Sequence, residues 1–349
     1  MEKITTLPNI TLKQAMKKLS LGGEKCLVIV NDENMLLGTL SDGDLRKAIL
    51  NGVPFSDSIE EIYQKNPTFL FEGMFDKAEI KKLFIENKFD LIPVTDKNKH
   101  LVDIILWENI FSKDKNKQNI DINVPVVIMA GGKGTRLEPF TKILPKPLIP
   151  IHDKTILEHI IDRFLKIGCD DFYMTVNYKG KILKAYYEEL NPRYSMKFMD
   201  EKNPLGTAGS LKYFEGKFIK SFFVSNCDII INEELDKIHK FHIDGDYDLT
   251  LVASAKEYII PYGTCELNDD GNLSHISEKP SFDFLINTGL YILKPELLQI
   301  IPKDTFYHIT DLIRDASKNG KKVGVFPIDE EQWIDIGQWA EYHKAIEQL

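Results

Sequence analysis

Cysteine is scarce in this chain, and long apolar runs and an excess of basic residues are absent. The four cysteines, Cys26, Cys169, Cys227 and Cys265, form no C-x-x-C pair, so neither a disulfide framework nor a zinc ribbon is indicated. We expect them to be reduced thiols in the core. No apolar stretch approaches the roughly 18 residues of a membrane-spanning helix, and the first residues lack the apolar segment of a signal peptide. The sequence therefore predicts a cytoplasmic protein.

The charge balance is acidic, with 44 Lys and Arg against 53 Asp and Glu and a net charge of -9. Surfaces for nucleic acids and anionic membranes need the opposite excess, so we expect neither partner. Any phosphate ligand must therefore meet locally clustered basic residues. The 349 residues exceed the roughly 250 to 300 at which one hydrophobic core stops growing, which predicts more than one domain.

A polar stretch, "SKDKNKQNIDIN" at residues 112–123, separates two apolar patterns and predicts a domain boundary with a linker at 117–123. Before it, "CLVIVNDENMLLGTL" from Cys26 parallels "DLIPVTDKNKHLVDI" from Asp90. Each copy reads as strand, turn, strand and follows a helical apolar pattern. We predict two α/β repeats, at about residues 1–57 and 58–116.

The first repeat continues as "GTLSDGDLRKAI", and residues 1–116 resemble a tandem pair of CBS domains. Gly38, Ser41 and Asp44 match the family pattern G-x-x-[ST]-x-x-D. The resemblance implies that Ser41 and Asp44 contact the phosphate and ribose of an adenine nucleotide at a helix start. The alternative is that both residues only cap that helix. The second repeat carries other residues at these positions, Val102, Ile105 and Glu108, so at most one nucleotide site is predicted.

From residue 124 the apolar pattern predicts a second α/β domain, at residues 124–349. "VPVVIMA" is typical of a strand buried on both faces. "TILEHIIDRFLKIG" predicts an amphipathic helix, and "DFYMTV" predicts the next strand. This alternation favours a Rossmann-like fold with a mixed, mostly parallel sheet, in which ligands bind at the carboxyl ends of the strands. The inner face of the predicted helix comprises Ile156, Leu157, Ile160, Ile161, Phe164 and Leu165.

A glycine-rich basic loop, "GGKGTRLEPFTKILPKPL" at residues 131–148, follows the first strand of this domain. Its glycines let the backbone approach phosphate oxygens, and its basic side chains supply counter-charge. The spacing fits neither the P-loop nor the G-x-G-x-x-G pattern. It resembles the signature of the sugar-1-phosphate nucleotidyltransferases. In that family an oxygen of a sugar-1-phosphate attacks the α-phosphorus of a nucleoside triphosphate and releases pyrophosphate.

Five further segments resemble this family and occur in its order, namely "NPLGTAG" (203–209), "SNCD" (225–228), "SEKP" (277–280), "NTG" (287–289) and "WIDIG" (333–337). The resemblance implies a nucleotide site formed by Ala130, Gly131, Gly132, Gly134, Thr135, Glu201, Gly206 and Thr207. It implies sugar contacts from Tyr262, Gly263, Glu278 and Asn287. The implied catalytic residues are Arg136, Lys146, Asp228, Lys279 and Asp335, with Mg²⁺ on Asp228 and Asp335. Taken singly, an Asp after a strand is usually a cap, and adjacent Glu and Lys usually form a surface pair.

Glu201 bears on which base is bound, because a carboxylate accepts from both N1–H and N2–H of guanine, whereas uracil and thymine offer only N3–H. The form "E-x-x-P-L-G-T-A-G" resembles guanylyltransferases. The alternative is that Glu201 is a solvated residue at a strand end.

The combination of CBS pair and catalytic domain resembles the guanylyltransferases that make GDP-glucosamine for legionaminic acid. We therefore predict a homo-oligomeric enzyme that uses GTP, glucosamine-1-phosphate and Mg²⁺. The alternatives are a UTP- or dTTP-dependent transferase of the same fold and a non-catalytic sensor of nucleotide or sugar phosphate. His239 and His242 lack a third ligand nearby, so we expect them to be surface residues and predict no zinc site.

Overall fold

The computed structural model describes residues 3–22, 25–87, 89–107, 110 and 121–348. The chain divides into two compact units. The first comprises residues 1–117 and 255–284, and the second comprises residues 118–254 and 285–349. Most of the linker predicted at 117–123, and Glu108, lie outside the described residues. No helix in the described ranges is long and apolar enough to span a membrane.

The helices are α1 (Leu12–Gly22), α2 (Asp42–Leu50), α3 (Lys77–Asn87), α4 (Ile156–Leu165), α5 (Gly180–Leu190), α6 (Leu235–Asp244), α7 (Ile309–Lys318) and α8 (Trp339–Gln348). The strands are β1 (Thr5–Thr6), β2 (Cys26–Val30), β3 (Leu36–Ser41), β4 (Leu70–Phe71), β5 (Leu91–Thr95), β6 (Leu101–Leu106), β7 (Val126–Ala130), β8 (Pro150–Ile151), β9 (Lys154–Thr155), β10 (Asp171–Val176), β11 (Ser195–Asp200), β12 (Phe222–Asn226), β13 (Ile229–Ile231), β14 (Leu249–Ile259), β15 (Thr264–Leu267), β16 (Leu273–Ser277), β17 (Ser281–Leu293), β18 (Val323–Asp329) and β19 (Trp333–Asp335).

The first unit contains the predicted repeat, which is confirmed in its topology. In one copy β1 pairs in parallel with β2, and β2 pairs antiparallel with β3. The other copy has the same arrangement in β4, β5 and β6. Every residue of β2 and β5 is buried, because each of these strands lies in the middle of its sheet.

The first unit also contains residues 255–284, which we call the arm. The arm comprises the end of β14, the β15–β16 hairpin and the start of β17. In this hairpin β15 and β16 form a separate two-stranded antiparallel sheet. Most of its side chains are exposed.

The second unit is formed around a seven-stranded sheet with the order β11-β10-β7-β12-β17-β14-β18. The strands β11, β10, β7 and β12 run parallel to one another, and β17 pairs antiparallel with β12. The predicted mixed sheet is therefore confirmed. Its strand β7 is buried on both faces, since Val126 and Ile128 belong to one core cluster and Val127 and Met129 to another.

Helix α4 begins with a capping box in which Thr155 and Glu158 satisfy each other's backbone N–H groups. Its predicted inner face is buried with one exception. Leu165 is 37% exposed, so the prediction was wrong there. The helix ends at this residue and the chain turns through Gly168, which has a φ of +81°.

Two predictions about buried and exposed side chains need correction. Cys26 and Cys169 are buried, but Cys265 is exposed on β15, where three of the four residues are exposed. His242 is fully buried rather than at the surface. Its ring nitrogens lie 2.9 Å from the Thr250 hydroxyl and 3.0 Å from the Ser221 hydroxyl. Burial lowers its pKa to about 4, so the ring is neutral at pH 7.

Candidate functional site

A cleft of about 420 Å³ lies at the carboxyl ends of β7, β10 and β12 in the second unit. Parallel strands end there, which is where ligands bind in open α/β sheets. The cleft contains ten of the predicted site residues, namely Gly131, Gly132, Gly134, Thr135, Arg136, Lys146, Glu201, Gly206, Thr207 and Asp228. Ala130, the last residue of β7, is buried directly before them.

The loop after β7 approaches its neighbours so closely that glycine is required. Gly134 has a φ of +66°, and a Cβ atom there would lie 3.0 Å from Thr141 Cγ2 and 3.1 Å from Lys146 Cβ. A Cβ atom at Gly131 would lie 2.8 Å from Glu201 Oε1. The glycines therefore bring the loop against the lysine and the glutamate that share the cleft.

Arg136 lies on a short 3-10 turn, Thr135–Leu137, which is anchored by the buried Leu137. The arginine is exposed. In the described part of the chain it has no hydrogen bond or ion pair with protein, so its five N–H donors are available to an anion in the cleft.

Lys146 is the principal buried cation of the cleft, and its side chain is only 8% exposed. Its Nζ atom donates to Asp228 Oδ2 at 2.5 Å. Flanking prolines, Pro145 and Pro147, restrict its backbone at the start of a short 3-10 turn. The ion pair compensates for burial of both charges, since either charge alone would be strongly disfavoured in this position.

The antiparallel pairing of β13 and β19 brings Asp228 and Asp335 together. Ile229 lies opposite Asp335 in this register, and the Ile336 N–H donates to the Asp228 carbonyl at 2.8 Å. Burial, and after it the negative charge of Asp228, raises the pKa of Asp335. The Gly337 N–H, which donates to Asp335 Oδ1 at 2.8 Å, opposes this rise. Two neighbouring carboxylates of this kind favour a bound cation.

Cys227 also contacts the cleft, beside Asp228. Burial and the Asp228 charge raise the pKa of its thiol to about 12. The thiol is therefore protonated at neutral pH, and a thiolate nucleophile is not supported.

Glu201 follows β11 and is 7% exposed. Its Oε2 atom accepts a long hydrogen bond of 3.3 Å from the Leu205 N–H. Its backbone is fixed by bonds to Val176 and to the Asn177 side chain. The alternative of a solvated strand-end residue is contradicted by this burial. A buried carboxylate with little hydrogen bonding is suited to accept from donors of a ligand.

The loop at residues 203–209 packs against residues 305–309 within the second unit. Gly206 has a φ of +78°, and a Cβ atom there would lie 2.7 Å from the Tyr307 carbonyl oxygen. The Thr207 hydroxyl accepts from the Ile309 N–H at 3.0 Å, at the start of α7. Both residues therefore fix the loop as well as contacting the cleft.

The residues predicted to contact the sugar are not part of this cleft. Tyr262, Gly263, Glu278 and Lys279 belong to the arm. A Cβ atom at Gly263 would lie 3.0 Å from Glu278 Oε2, so the two segments meet across the hairpin. Lys279 has a φ of +47°, which is uncommon for a residue with a side chain and typical of functional sites.

Asn287, the remaining predicted sugar contact, lies on β17 in the second unit. Its Oδ1 atom accepts from the Gly289 N–H at 3.1 Å. A Cβ atom at Gly289 would lie 2.4 Å from Asn226 Nδ2. The "NTG" segment therefore needs its glycine to admit Asn226, which itself contacts the cleft.

Sequence reasoning missed three polar or aromatic residues of the cleft, namely Thr175, Asn226 and Phe306. Thr175 lies on β10 in register with Met129 and Met199. It is fully buried, and its hydroxyl has no hydrogen-bond partner in the described residues. Its only sequence signal is one polar residue near the end of an otherwise apolar strand.

In the first repeat, Ser41 and Asp44 form the capping box of α2. The Ser41 hydroxyl donates to Asp44 Oδ2 at 2.6 Å. Packing alone explains the glycine at position 38, because a Cβ atom at Gly38 would lie 2.3 Å from the Gln64 carbonyl oxygen. The structural alternative thus accounts for all three residues, and the adenine-nucleotide site remains a prediction.

Two family models match the chain, the nucleotidyl transferase family at residues 125–349 and the CBS domain at residues 1–51. The chain belongs to the nucleotidyl transferase family. The cleft of this nucleotidyl transferase contains the glycine-rich loop, the buried lysine and Asp228.

Curated relatives of this nucleotidyl transferase include enzymes named for different bases. A UTP--glucose-1-phosphate uridylyltransferase of Synechocystis is 30% identical over 63% of this chain and 62% of its own length. A mannose-1-phosphate guanyltransferase of Schizosaccharomyces pombe is 34% identical over 62% of this chain and 61% of its own length. The chain thus spans about three fifths of the length of these relatives.

Solved structures of similar fold include HddC from Yersinia pseudotuberculosis. It is 27% identical with a TM-score of 0.52, and the match covers 64% of this chain and 99% of that one. A second HddC structure, complexed with GMP-PN, is 26% identical with a TM-score of 0.51 and covers the same shares.

Proposed function

We propose that the chain is a sugar-1-phosphate nucleotidyltransferase that joins a nucleoside triphosphate to a sugar-1-phosphate. The observation that carries this proposal is the cleft in which the signature loop meets the Lys146–Asp228 pair. An oxygen of the sugar-1-phosphate forms a bond to the α-phosphorus. The bond between the α-phosphorus and the bridging oxygen breaks, and pyrophosphate leaves with that electron pair. Since the nucleophile is already an anion, no general base is required.

Repulsion between anions is the main barrier to this reaction, and the cationic residues lower it. Arg136 binds the departing pyrophosphate with its planar fork. Lys146 contacts the reacting phosphates and stabilises the charge that builds at the α-phosphate. By resemblance Lys279 binds the phosphate of the sugar, and Tyr262, Gly263, Glu278 and Asn287 contact the sugar.

Asp228 and Asp335 are suited to hold Mg²⁺, because this hard cation prefers one or two carboxylates together with phosphate oxygens. The raised pKa of Asp335 beside Asp228 supports a cation between them. Mg²⁺ bound there would supply Lewis-acid polarisation of the phosphoryl oxygens.

The proposed substrates are GTP and glucosamine-1-phosphate, giving GDP-glucosamine. Buried Glu201 supports guanine, since its carboxylate can accept from both N1–H and N2–H. Guanyltransferases among the relatives, and the HddC complex with GMP-PN, support the same choice. The uridylyltransferase of Synechocystis favours UTP as the second candidate. The choice of glucosamine and a place in legionaminic acid synthesis rest on the resemblance alone.

A substrate grid tests this function. Purified protein is incubated with Mg²⁺ and GTP, UTP, dTTP, CTP or ATP against several hexose and hexosamine 1-phosphates, and pyrophosphate release is followed. We expect turnover with GTP and glucosamine-1-phosphate. Turnover with UTP but not with GTP would reject the role given to Glu201. Absence of turnover in every pair would favour the sensor alternative.

A further inference from the structure

Both strands at the base of the arm are attached to the first repeat. On β14, Ala255 is 7% exposed and belongs to the core cluster of that repeat, where its neighbours include residues of α1 and α2. Two residues further along, Glu257 accepts from Lys13 Nζ of α1 at 2.7 Å. On β17, Asp283 Oδ2 accepts from the Phe55 N–H at 2.8 Å. Besides the neighbouring positions of β14 and β17 in the seven-stranded sheet, three contacts of different kinds therefore attach the arm to the first repeat.

Beyond this base, the hairpin has little support of its own. Among the residues that the structure describes, its two strands pair with each other in a separate sheet, and most of their side chains are exposed. An isolated two-stranded hairpin is marginally stable in water. The orientation of the hairpin therefore depends on the contacts at its base.

The segments between the base of the arm and the β15–β16 hairpin carry the residues that the proposed function assigns to the sugar-1-phosphate. Tyr262 and Gly263 precede β15, and Glu278 and Lys279 follow β16. The Ile260 N–H donates to the Pro280 carbonyl at 3.0 Å, which joins the two segments. The arm thus links a proposed substrate-binding segment to the first repeat within a single compact unit.

We propose that the first repeat positions the arm for sugar-1-phosphate binding. Asp283 of the arm is the main positioning residue. This inference rests on the proposed function. Asp283 is suited to the role because it accepts from the backbone of the repeat, and its other oxygen, Oδ1, is buried without a hydrogen-bond partner in the described residues. The carboxylate therefore has no competing bond to hold it elsewhere.

The main test is Asp283→Ala in the full chain. Loss of one buried acceptor typically changes an equilibrium by about three- to tenfold. We expect KM for the sugar-1-phosphate to rise by about this factor, while KM for the nucleotide and kcat at saturating sugar phosphate stay within about twofold. Amide hydrogen exchange across residues 255–284 should become faster. Asp283→Asn, which keeps an acceptor oxygen, should restore most of both properties.

Two controls make the test specific. Asp270→Ala removes an exposed carboxylate from the hairpin turn of the same arm and should change neither KM nor exchange. Lys13→Glu and Glu257→Lys should each mildly raise KM for the sugar phosphate, and the double variant should reverse the effect, because the ion pair is rebuilt with opposite polarity. Since this pair is partly exposed, we expect less than about a threefold effect.

The outcomes separate this inference from the proposed function. If the wild type turns over no substrate pair, the proposed function fails, and direct calorimetry of sugar-1-phosphate binding replaces KM in the comparison. Unchanged hydrogen exchange in Asp283→Ala would overturn the positioning role even if turnover is normal. Faster exchange with no change in sugar-1-phosphate KM or binding, or an equal loss for both substrates, would also overturn it.

Discussion

At the scale of single residues, we expect the Asp228–Asp335 pair, of which Asp228 lines the cleft, to be the most sensitive to a change of charge. We expect Asp228→Asn and Asp335→Asn each to lower turnover by at least about a hundredfold, the size of losing a preorganised electrostatic contact. The check is pyrophosphate release at saturating substrates, with circular dichroism to confirm folding. Asp246→Asn is the matched control, since its side chain is 88% exposed in a pair with Lys294. Near-normal activity in either cleft variant would remove that residue from the metal site.

Replacement of Thr175 should affect the stability of the protein and its affinity for GTP in different ways. Thr175 lines the cleft, and its buried hydroxyl has no hydrogen-bond partner among the described residues. Thr175→Val keeps the shape and removes the hydroxyl, so the protein should melt at the same or a higher temperature. We expect GTP to bind about three- to tenfold more weakly, because the hydroxyl then offers no bond to the base. Calorimetry and thermal unfolding measure the two quantities.

The controls for this prediction come from the same chain. Thr175→Ser retains the hydroxyl and removes a methyl group, so it should lower stability and keep affinity. Ser210 also has a buried unpartnered hydroxyl, outside the cleft, and Ser210→Ala should not affect GTP binding. Unchanged affinity in Thr175→Val would mean that the hydroxyl does not contact nucleotide.

Buried His242 predicts how stability depends on pH. Its pKa is about 4 in the folded protein, chiefly through burial, against about 6.5 in an unfolded chain. The unfolded state therefore binds the extra proton between these values, and stability falls as the pH is lowered. Between pH 7.5 and 5 this residue should remove about 2 kcal/mol of unfolding free energy. Urea unfolding of the wild type and His242→Gln measures it, and an equally steep pH dependence in the variant would contradict the assignment.

At the scale of secondary-structure elements, two glycines with similar backbone conformations allow the effect of backbone strain on stability to be distinguished from an effect on GTP binding. Gly206 and Gly216 have φ values of +78° and +75°, but only Gly206 lies against another backbone, at Tyr307. Each substitution by alanine should destabilise the protein by about 1 kcal/mol through its backbone conformation. Gly206→Ala must also displace the backbone at Tyr307, so we expect a larger loss of stability and weaker GTP binding. Equal effects of the two variants on GTP affinity would show that this loop does not shape the base site.

The regular elements were predictable where the apolar pattern has a single period. The strand β10 coincides with the predicted "DFYMTV", and the burial of β7 follows from its continuous apolar run. The signature loop was predictable because its glycines and basic residues are adjacent in sequence. The pairing of β13 with β19, by contrast, joins segments about a hundred residues apart. Only the family resemblance indicated that Asp228 and Asp335 lie close together.

Burial of polar side chains was the least predictable property. Glu201, His242 and Thr175 are each buried, although Glu and Thr are mostly exposed in proteins and His is intermediate. What decides their burial is the face that each presents within its element and the partner that lies opposite. The attachment of the arm to the first repeat was equally hidden, because Asp283 and Phe55 carry no shared sequence pattern.

At the scale of the whole molecule, binding of an adenine nucleotide to the first repeat is a separate prediction. We expect ADP, AMP or ATP to bind once per chain, and Asp44→Ala to abolish this binding. Because Asp44 also caps α2, the substitution should lower stability by about 1 kcal/mol. Glu158→Ala removes the equivalent carboxylate from the capping box of α4 and is the matched control. Calorimetry that shows unchanged binding in Asp44→Ala would exclude the proposed pocket.

The β13–β19 pairing also has a consequence for the order of folding. Loop closure over a long separation is entropically unfavourable, so contacts between distant segments form late. The parallel pairing of β7 with β10 is more local in sequence, since its partners Val126 and Phe172 are 172 − 126 = 46 residues apart. During refolding, far-ultraviolet dichroism should therefore recover before the environment of Trp333, which lies on β19. Catalytic competence should return with the tryptophan signal, since the second aspartate reaches the cleft only in that last step.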